Sequence, residues 1–92
     1  MCGILGTIPS TDPNRFGQAL NTLIHRGPDS GNSWHDGQIS LGHRRLAILD
    51  ISDAATQPMH FNNRYHITFN GEIYNFLEIK KTLEDSGFFF KT

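Results

Sequence analysis

The sequence predicts an α+β chain with antiparallel strands, and three observations carry that reading. Two segments place apolar residues at helical spacing: Phe16, Ala19, Leu20, Leu23 and Ile24, then Phe76, Ile79 and Leu83. Short β-prone stretches lie before and between them. Asp36–Gly37 joins two of those stretches as a hairpin, which makes them antiparallel. With 92 residues there is room for one small domain at most, with a thin core.

In chain order, Cys2–Ile8 reads as a strand with Gly3 and Gly6 interleaved, a sign of close approach by another backbone or a ligand. Pro9 ends it. Asp12 is placed as an N-cap with Pro13 at the first helical position, and the helix is expected to stop near His25–Arg26, ahead of Gly27–Pro28. Arg26–Gly31 is a loop. Strands are expected at about Asn32–Trp34 and Gln38–His43, and a further buried extended stretch at Arg45–Leu49. Asp50–Asn63 is polar, lacks a clean period and reads as loop. Arg64–Phe69 alternates, with Tyr65, Ile67 and Phe69 on one face, and Asn70–Gly71 signals a turn. Asn75 caps a second helix, with Glu78 as its capping-box partner and Gly87 as its stop. Phe88–Thr92 reads as the start of another strand. An apolar strand at a chain end is an open edge, so the chain reads as a fragment of a larger domain, and a second copy could cover that edge.

Composition narrows the function. Hydrophobic residues are 37% and charged residues 18%, which excludes a disordered chain, and no apolar run is long enough to span a membrane. The first segment, Cys2–Ile8, has no basic residues before it and no small-residue cleavage pattern, so a secretory signal is not expected. Net charge is −1 and the basic residues are scattered, so a nucleic-acid partner is not expected. A single cysteine forbids an intrachain disulfide and a cysteine-based zinc site; a reducing, cytoplasmic setting follows. The five histidines lack metal-ligand spacing, so no metal is expected, and Gly27–Gly31 lacks the lysine and strand–loop–helix order of a phosphate loop.

Four places could carry chemistry. Cys2 follows the initiator Met1, and a small side chain there permits removal of Met1. Cysteine would then supply both a thiol and a free α-amine. The thiolate is the nucleophilic form, and an α-amine titrates at about 7.7–8.0 in model peptides, close enough to working pH to take and return a proton. The plain alternative is a small buried hydrophobe. Asn70–Gly71–Glu72 offers two side-chain hydrogens and an approachable glycine N–H, which suits an oxyanion hole worth about 3 kcal/mol per donor; the same residues also read as an ordinary turn. Arg45, beside the apolar Leu46–Leu49, can grip a carboxylate with two parallel hydrogen bonds, or sit at a strand end beside Asp50. In His25–Asp29, Arg26 and Asp29 could pair to pin a loop.

Taken in order, Met1-Cys2-Gly3-Ile4, His25-Arg26-Gly27-Pro28-Asp29, His43 through Asp50, Gln57-Pro58 and Asn70-Gly71-Glu72-Ile73-Tyr74-Asn75 resemble one family. It is the class II, N-terminal-nucleophile glutamine amidotransferases, in the branch of the glutaminase domain of glutamine-dependent asparagine synthetase. Each stretch alone is weak; the ordered set is specific and covers the chain almost end to end. The resemblance implies that residues 1–92 are the N-terminal part of a type 2 amidotransferase domain, within a four-layer αββα sandwich of antiparallel sheets. It implies Cys2 as nucleophile on the amide of L-glutamine, Asn70 and Gly71 as oxyanion hole, and Arg45 on the substrate α-carboxylate. The backbone from Arg45 to Leu49 would line the pocket, and Glu72 would lie near the substrate amine. A C-terminal synthetase domain would use ATP and magnesium and receive the ammonia; no cofactor is implied for this segment. An amidotransferase with a sugar or secondary-metabolite acceptor, or a non-catalytic module of the same fold, are the rival readings. Two departures stand out. The family's acidic residue for the substrate amine would follow the Phe-rich stretch, beyond these residues, and Arg44 stands where an acidic residue is common.

Overall fold

Asp36 and Gly37 reverse the chain as their types predict. The Asp36 carboxylate accepts from the N–H groups of Gln38 and Ile39 at 2.8 and 2.7 Å. Those two amides, Ile39 foremost, hold its carboxyl below the ordinary aspartate range. Gly37 takes a φ of 89°, which glycine adopts at little cost. In the computed structural model, which describes residues 1–91, this hairpin joins β2 (Ser30–His35) to β3 (Ser40–Arg45). β1 (Gly3–Thr7) pairs with the other edge of β3, giving an antiparallel sheet in the order β1-β3-β2.

One face of this sheet is covered by α1 (Pro13–Asn21). The Asp12 carboxylate caps it, accepting from the Arg15 N–H at 3.1 Å. Phe16 and Leu20 are buried against the sheet, and Gly42 makes room for them: a Cβ there would sit 2.7 Å from the Phe16 ring. The helix ends earlier than the expected His25–Arg26. From Thr22 onward the bonds tighten to i→i−3, and the Thr22 hydroxyl takes the Ala19 carbonyl at 2.6 Å. Leu23 still packs on Gly3, whereas Ile24 is exposed.

The other face of the sheet meets a second, two-stranded one. β4 (Met59–Phe61) pairs antiparallel with β5 (Tyr65–Ile67). This corrects the loop expected over Asp50–Asn63. Asn62 and Asn63 both take left-handed φ values, 54° and 52°, and the Arg64 N–H closes on the Phe61 carbonyl at 3.1 Å, so an Asn-Asn pair makes the hairpin turn. A short turn of 3-10 helix, Asp53–Ala55, also lies inside that stretch. The His66 ring stacks on Trp34 at 3.9 Å and 17°, and Trp34 pairs with Leu41, one residue from the helix-facing Gly42. Mixed α and β structure with antiparallel sheets is therefore confirmed.

Three further expectations need correction. Arg45–Leu49 is not a buried strand: β3 ends at Arg45, and Ile48 and Leu49 are 60% and 75% exposed. The cause is local. The Asp29 carboxylate takes the Ala47 N–H at 2.8 Å, and the Arg45 guanidinium draws in the carbonyls of Asp50 and Ser52, so the segment curls into a loop instead of pairing. Asn75 does precede α2 (Phe76–Asp85), but no side-chain cap forms there, so the box with Glu78 is not made. Phe88–Lys91 is not a strand either. Gly87 (φ 97°) ends α2, its N–H bonding the Glu84 carbonyl and that of Phe88 bonding the Leu83 carbonyl. Phe90 then lies beside Ile73, Phe76, Ile79 and Leu83, so these residues present no open strand edge. Thr92 lies outside the described residues.

Gly27 is where the loop after α1 presses on β3. A Cβ there would lie 2.2 Å from the Arg44 carbonyl carbon and 2.3 Å from its oxygen, both backbone atoms that cannot swing away. Gly27→Ala is expected to destabilise the fold by about 1–3 kcal/mol through overpacking. Gly17→Ala, in α1 with nothing within 4 Å of its Cβ, is expected to stabilise by about 0.5–1 kcal/mol. Denaturant unfolding midpoints measure both, and equal effects would contradict the geometry.

Candidate active site

The β1–β3 register places Gly3 opposite Arg44, so Cys2 lies one step further, beside Arg45. The sulfur is held there by the backbone that follows β3. The Leu46 N–H donates to Sγ at 3.3 Å, and the thiol reaches the Leu46 carbonyl at 3.7 Å. On the other side the Arg26 Nε donates to the Cys2 carbonyl at 3.0 Å. Arg26 and Asp29 thus reach different targets instead of pairing. Arg26 holds the residue bearing the thiol, while Asp29 holds Ala47 beside the Leu46 backbone that grips the sulfur. The Asp29 N–H on the Arg45 carbonyl (3.0 Å) and the Arg44 Nε on the Gly27 carbonyl (2.8 Å) close the same clasp.

Around the thiol lies a cleft of about 310 Å³, within the usual size range for small-molecule sites. Cys2, Arg45, Leu49, Asn70, Gly71 and Glu72 all line it, so six residues singled out from three separate stretches converge on one concavity. Met1 lines it as well. The Arg45 side chain is buried, and its Nη1 and Nη2 groups donate to the carbonyls of Ser52 (2.7 Å) and Asp50. Arg45 therefore braces the 50–52 wall of the cleft, and its partner at Asp50 is the backbone oxygen. Gly71 avoids a different crowding from the one its type suggested: a Cβ there would lie 2.7 Å from the Phe69 ring.

Asn70 and Gly71 lie beyond β5, so no sheet ladder holds them. Side chains do. The Gln57 Oε1 accepts from the Phe69 N–H at 2.6 Å, the His43 Nε2 donates to the Phe69 carbonyl at 3.2 Å, and the Thr68 hydroxyl donates to the Gly42 carbonyl at 3.0 Å. His43 and Gln57 also line the cleft. Neither was singled out for a role from sequence, because a histidine mid-strand and a glutamine before proline carry no distinctive spacing. Leu46 lies within the backbone expected to line the pocket, but its N–H grips the sulfur, a part no residue type announces.

His43 is only 2% exposed. A carbonyl only accepts, so Nε2 carries the hydrogen, and Nδ1 is buried with no partner among the described residues. Burial holds its pKa below the ordinary value near 6.5, the Arg45 guanidinium acts in the same direction, and the bond to Phe69 opposes both. The described residues contain no group of three or more His, Cys, Asp or Glu placed to hold a metal ion, and no helix long and apolar enough to cross a membrane.

All of residues 1–92 match the family described as glutamine amidotransferase domain. Asparagine synthetase [glutamine-hydrolyzing] 1 of Bacillus subtilis (strain 168) is 38% identical over 100 residues, covering 100% of this chain and 16% of that protein. Asparagine synthetase [glutamine-hydrolyzing] of Brassica oleracea is 40% identical over 95 residues, covering 96% of this chain and 16% of that protein. The chain thus spans about 16% of the length of these relatives. No solved structure matches it.

The His43 environment sets a pH dependence. Its pKa is lower folded than unfolded, so the unfolded chain takes up the proton first as pH falls. The stability tied to neutral His43 is fully present above about 6.5 and is lost as pH drops toward the lowered folded value. The denaturant midpoint is expected to fall between about pH 7.5 and pH 5.5, and to fall less in His43→Gln, which keeps a donor for Phe69 and does not titrate. The same slope in both proteins would contradict this account.

Proposed function

This chain belongs to the family of glutamine amidotransferase domains, and we propose that its cleft releases ammonia from glutamine, with Cys2 as nucleophile. One observation carries the reading: the only cysteine of the chain opens into the same cleft as Arg45, Asn70, Gly71 and Glu72. Once Met1 is removed, the Cys2 thiol has its own α-amine as proton acceptor. Sγ attacks the side-chain amide carbon, and the developing oxyanion is met by the Asn70 amide and the Gly71 N–H. The amine returns the proton to the leaving nitrogen, which departs as ammonia. Water then opens the thioester to give glutamate and the free thiol. One hard amide hydrolysis becomes two easier acyl transfers.

Arg45 and Glu72 orient the substrate, the first at its α-carboxylate and the second near its α-amine, so that only the side-chain amide meets the sulfur. Leu49 and the backbone from Arg45 form the flanking wall. The names and lengths of the relatives support an acceptor domain C-terminal to this one, where ATP and magnesium activate aspartate and the ammonia yields asparagine. In that setting the enzyme works in the cytoplasm, and the two sheets and their helices are part of a four-layer αββα sandwich.

Cys2→Ala in the full-length polypeptide is expected to abolish glutamine-driven synthesis and to spare ammonia-driven synthesis. Equal loss of both would defeat the assignment. Active protein isolated from cells should begin at Cys2 by mass spectrometry; an intact Met1 in active material would remove the amine from the mechanism. Arg45→Ala should raise the KM for glutamine about 10- to 100-fold, the loss expected for hydrogen bonds to a charged group. An unchanged KM would leave Arg45 as a wall brace only.

A further inference from the structure

We infer that Gln57 and His43 are positioning residues for catalysis, clamping the two peptide groups of Phe69 so that the Asn70 and Gly71 donors are fixed against the Cys2 sulfur. This rests on the proposed glutaminase reading and goes beyond it, since neither residue touches the reacting atoms in that scheme.

An oxyanion hole works because its donors are already aimed before charge develops. A misplacement of about 1 Å in such a site can cost about 100-fold in rate. Donors on a strand would inherit their position from the ladder. Asn70 and Gly71 have no such support, because β5 stops at Ile67. The segment 68–70 has its hydrogen bonds to side chains and to one strand carbonyl instead. Gln57 takes the Phe69 N–H at 2.6 Å, which fixes the peptide plane between Thr68 and Phe69. His43 gives its Nε2 hydrogen to the Phe69 carbonyl at 3.2 Å, which fixes the plane ending in the Asn70 nitrogen. With both planes held, the Asn70 Cα has little freedom left. The anchors themselves differ in rigidity. His43 stands in the central strand β3, paired on both edges with Ile4 and Asn32, and is almost wholly buried. Gln57 stands in the loop before β4 and lines the cleft. The sulfur is tied to this same strand through Leu46. Nucleophile and donors are thus referenced to one element, β3 and its immediate continuation.

A positioning role separates kcat from KM. In the full-length polypeptide, Gln57→Met keeps the side-chain length and loses the acceptor. It is expected to lower kcat for glutamine hydrolysis about 10- to 100-fold with KM changed less than about threefold. Gln57→Glu, which keeps an acceptor at the same reach, is expected to recover most of that loss. His43→Leu should behave like Gln57→Met, and His43→Gln, which keeps a donor, should lose less. Ammonia-driven synthesis serves as the folding control. If Gln57→Met loses both activities it has unfolded, and Gln57→Asn, whose shorter amide cannot reach Phe69, decides in its place by the same kcat and KM readout. A normal kcat in the acceptor-less variant, or a loss confined to KM, overturns the inference. If Cys2→Ala still hydrolyses glutamine, the glutaminase reading itself has failed; if Cys2→Ala is dead and Gln57→Met is normal, only the clamp has.

Discussion

Everything at the cleft depends on how the last rung of the β1–β3 ladder meets the chain that leaves β3. That junction sets Cys2 beside Leu46, residues 44 positions apart in sequence, with the Leu46 N–H on the sulfur. Loop closure over such a span costs entropy, and the junction is held by several contacts acting together. Gly27 lets the loop after α1 lie flat on the Arg44–Arg45 backbone. Arg26 fixes the Cys2 carbonyl, and Asp29 fixes Ala47. The run His25–Asp29 reads in the sequence as a cluster that pins a loop. Here its work is mechanical: it delivers the thiol to the cleft.

Arg45 shows how one side chain serves two scales. Its guanidinium folds the 50–52 loop inward, which builds a wall of the cleft and also ends β3. The planar fork of arginine holds these carbonyls at fixed angles with N–H groups to spare, whereas a lysine offers fewer donors and no fork. The same charge helps keep His43 neutral two residues earlier on the strand. The polar lining of the cleft is therefore a coupled set and not a collection of separate groups.

Local chemistry explains what could be read in advance. Asp12 with Pro13, Asp36–Gly37 and Gly87 each act through their own few residues, and each forms as its type demands. The cleft residues were legible for a different reason: their types and order match a family pattern, and the fold brings them to one place. The misreadings share a cause. Arg45–Leu49 has strand-like residues, but distant partners at Asp29 and within the 50–52 loop claim its hydrogen bonds. Asn62–Asn63 makes a hairpin turn without the glycine that usually announces one. Phe88–Lys91 is apolar enough for a strand, yet the cap at Gly87 turns it back toward α2. Roles that act through backbone or through one amide side chain, as at Leu46 and Gln57, have no residue-type signature.

On the proposed mechanism the sulfur of Cys2 becomes covalently bonded to the substrate acyl group. The most direct measurement is mass spectrometry of the full-length polypeptide, acid-quenched during turnover of glutamine and digested. A γ-glutamyl adduct is expected on the peptide that begins with Cys2, labile to hydroxylamine as a thioester is. Ammonia release with an adduct on another residue, or with a Cys2 peptide that stays unmodified when hydrolysis of the intermediate is the slow step, would contradict it.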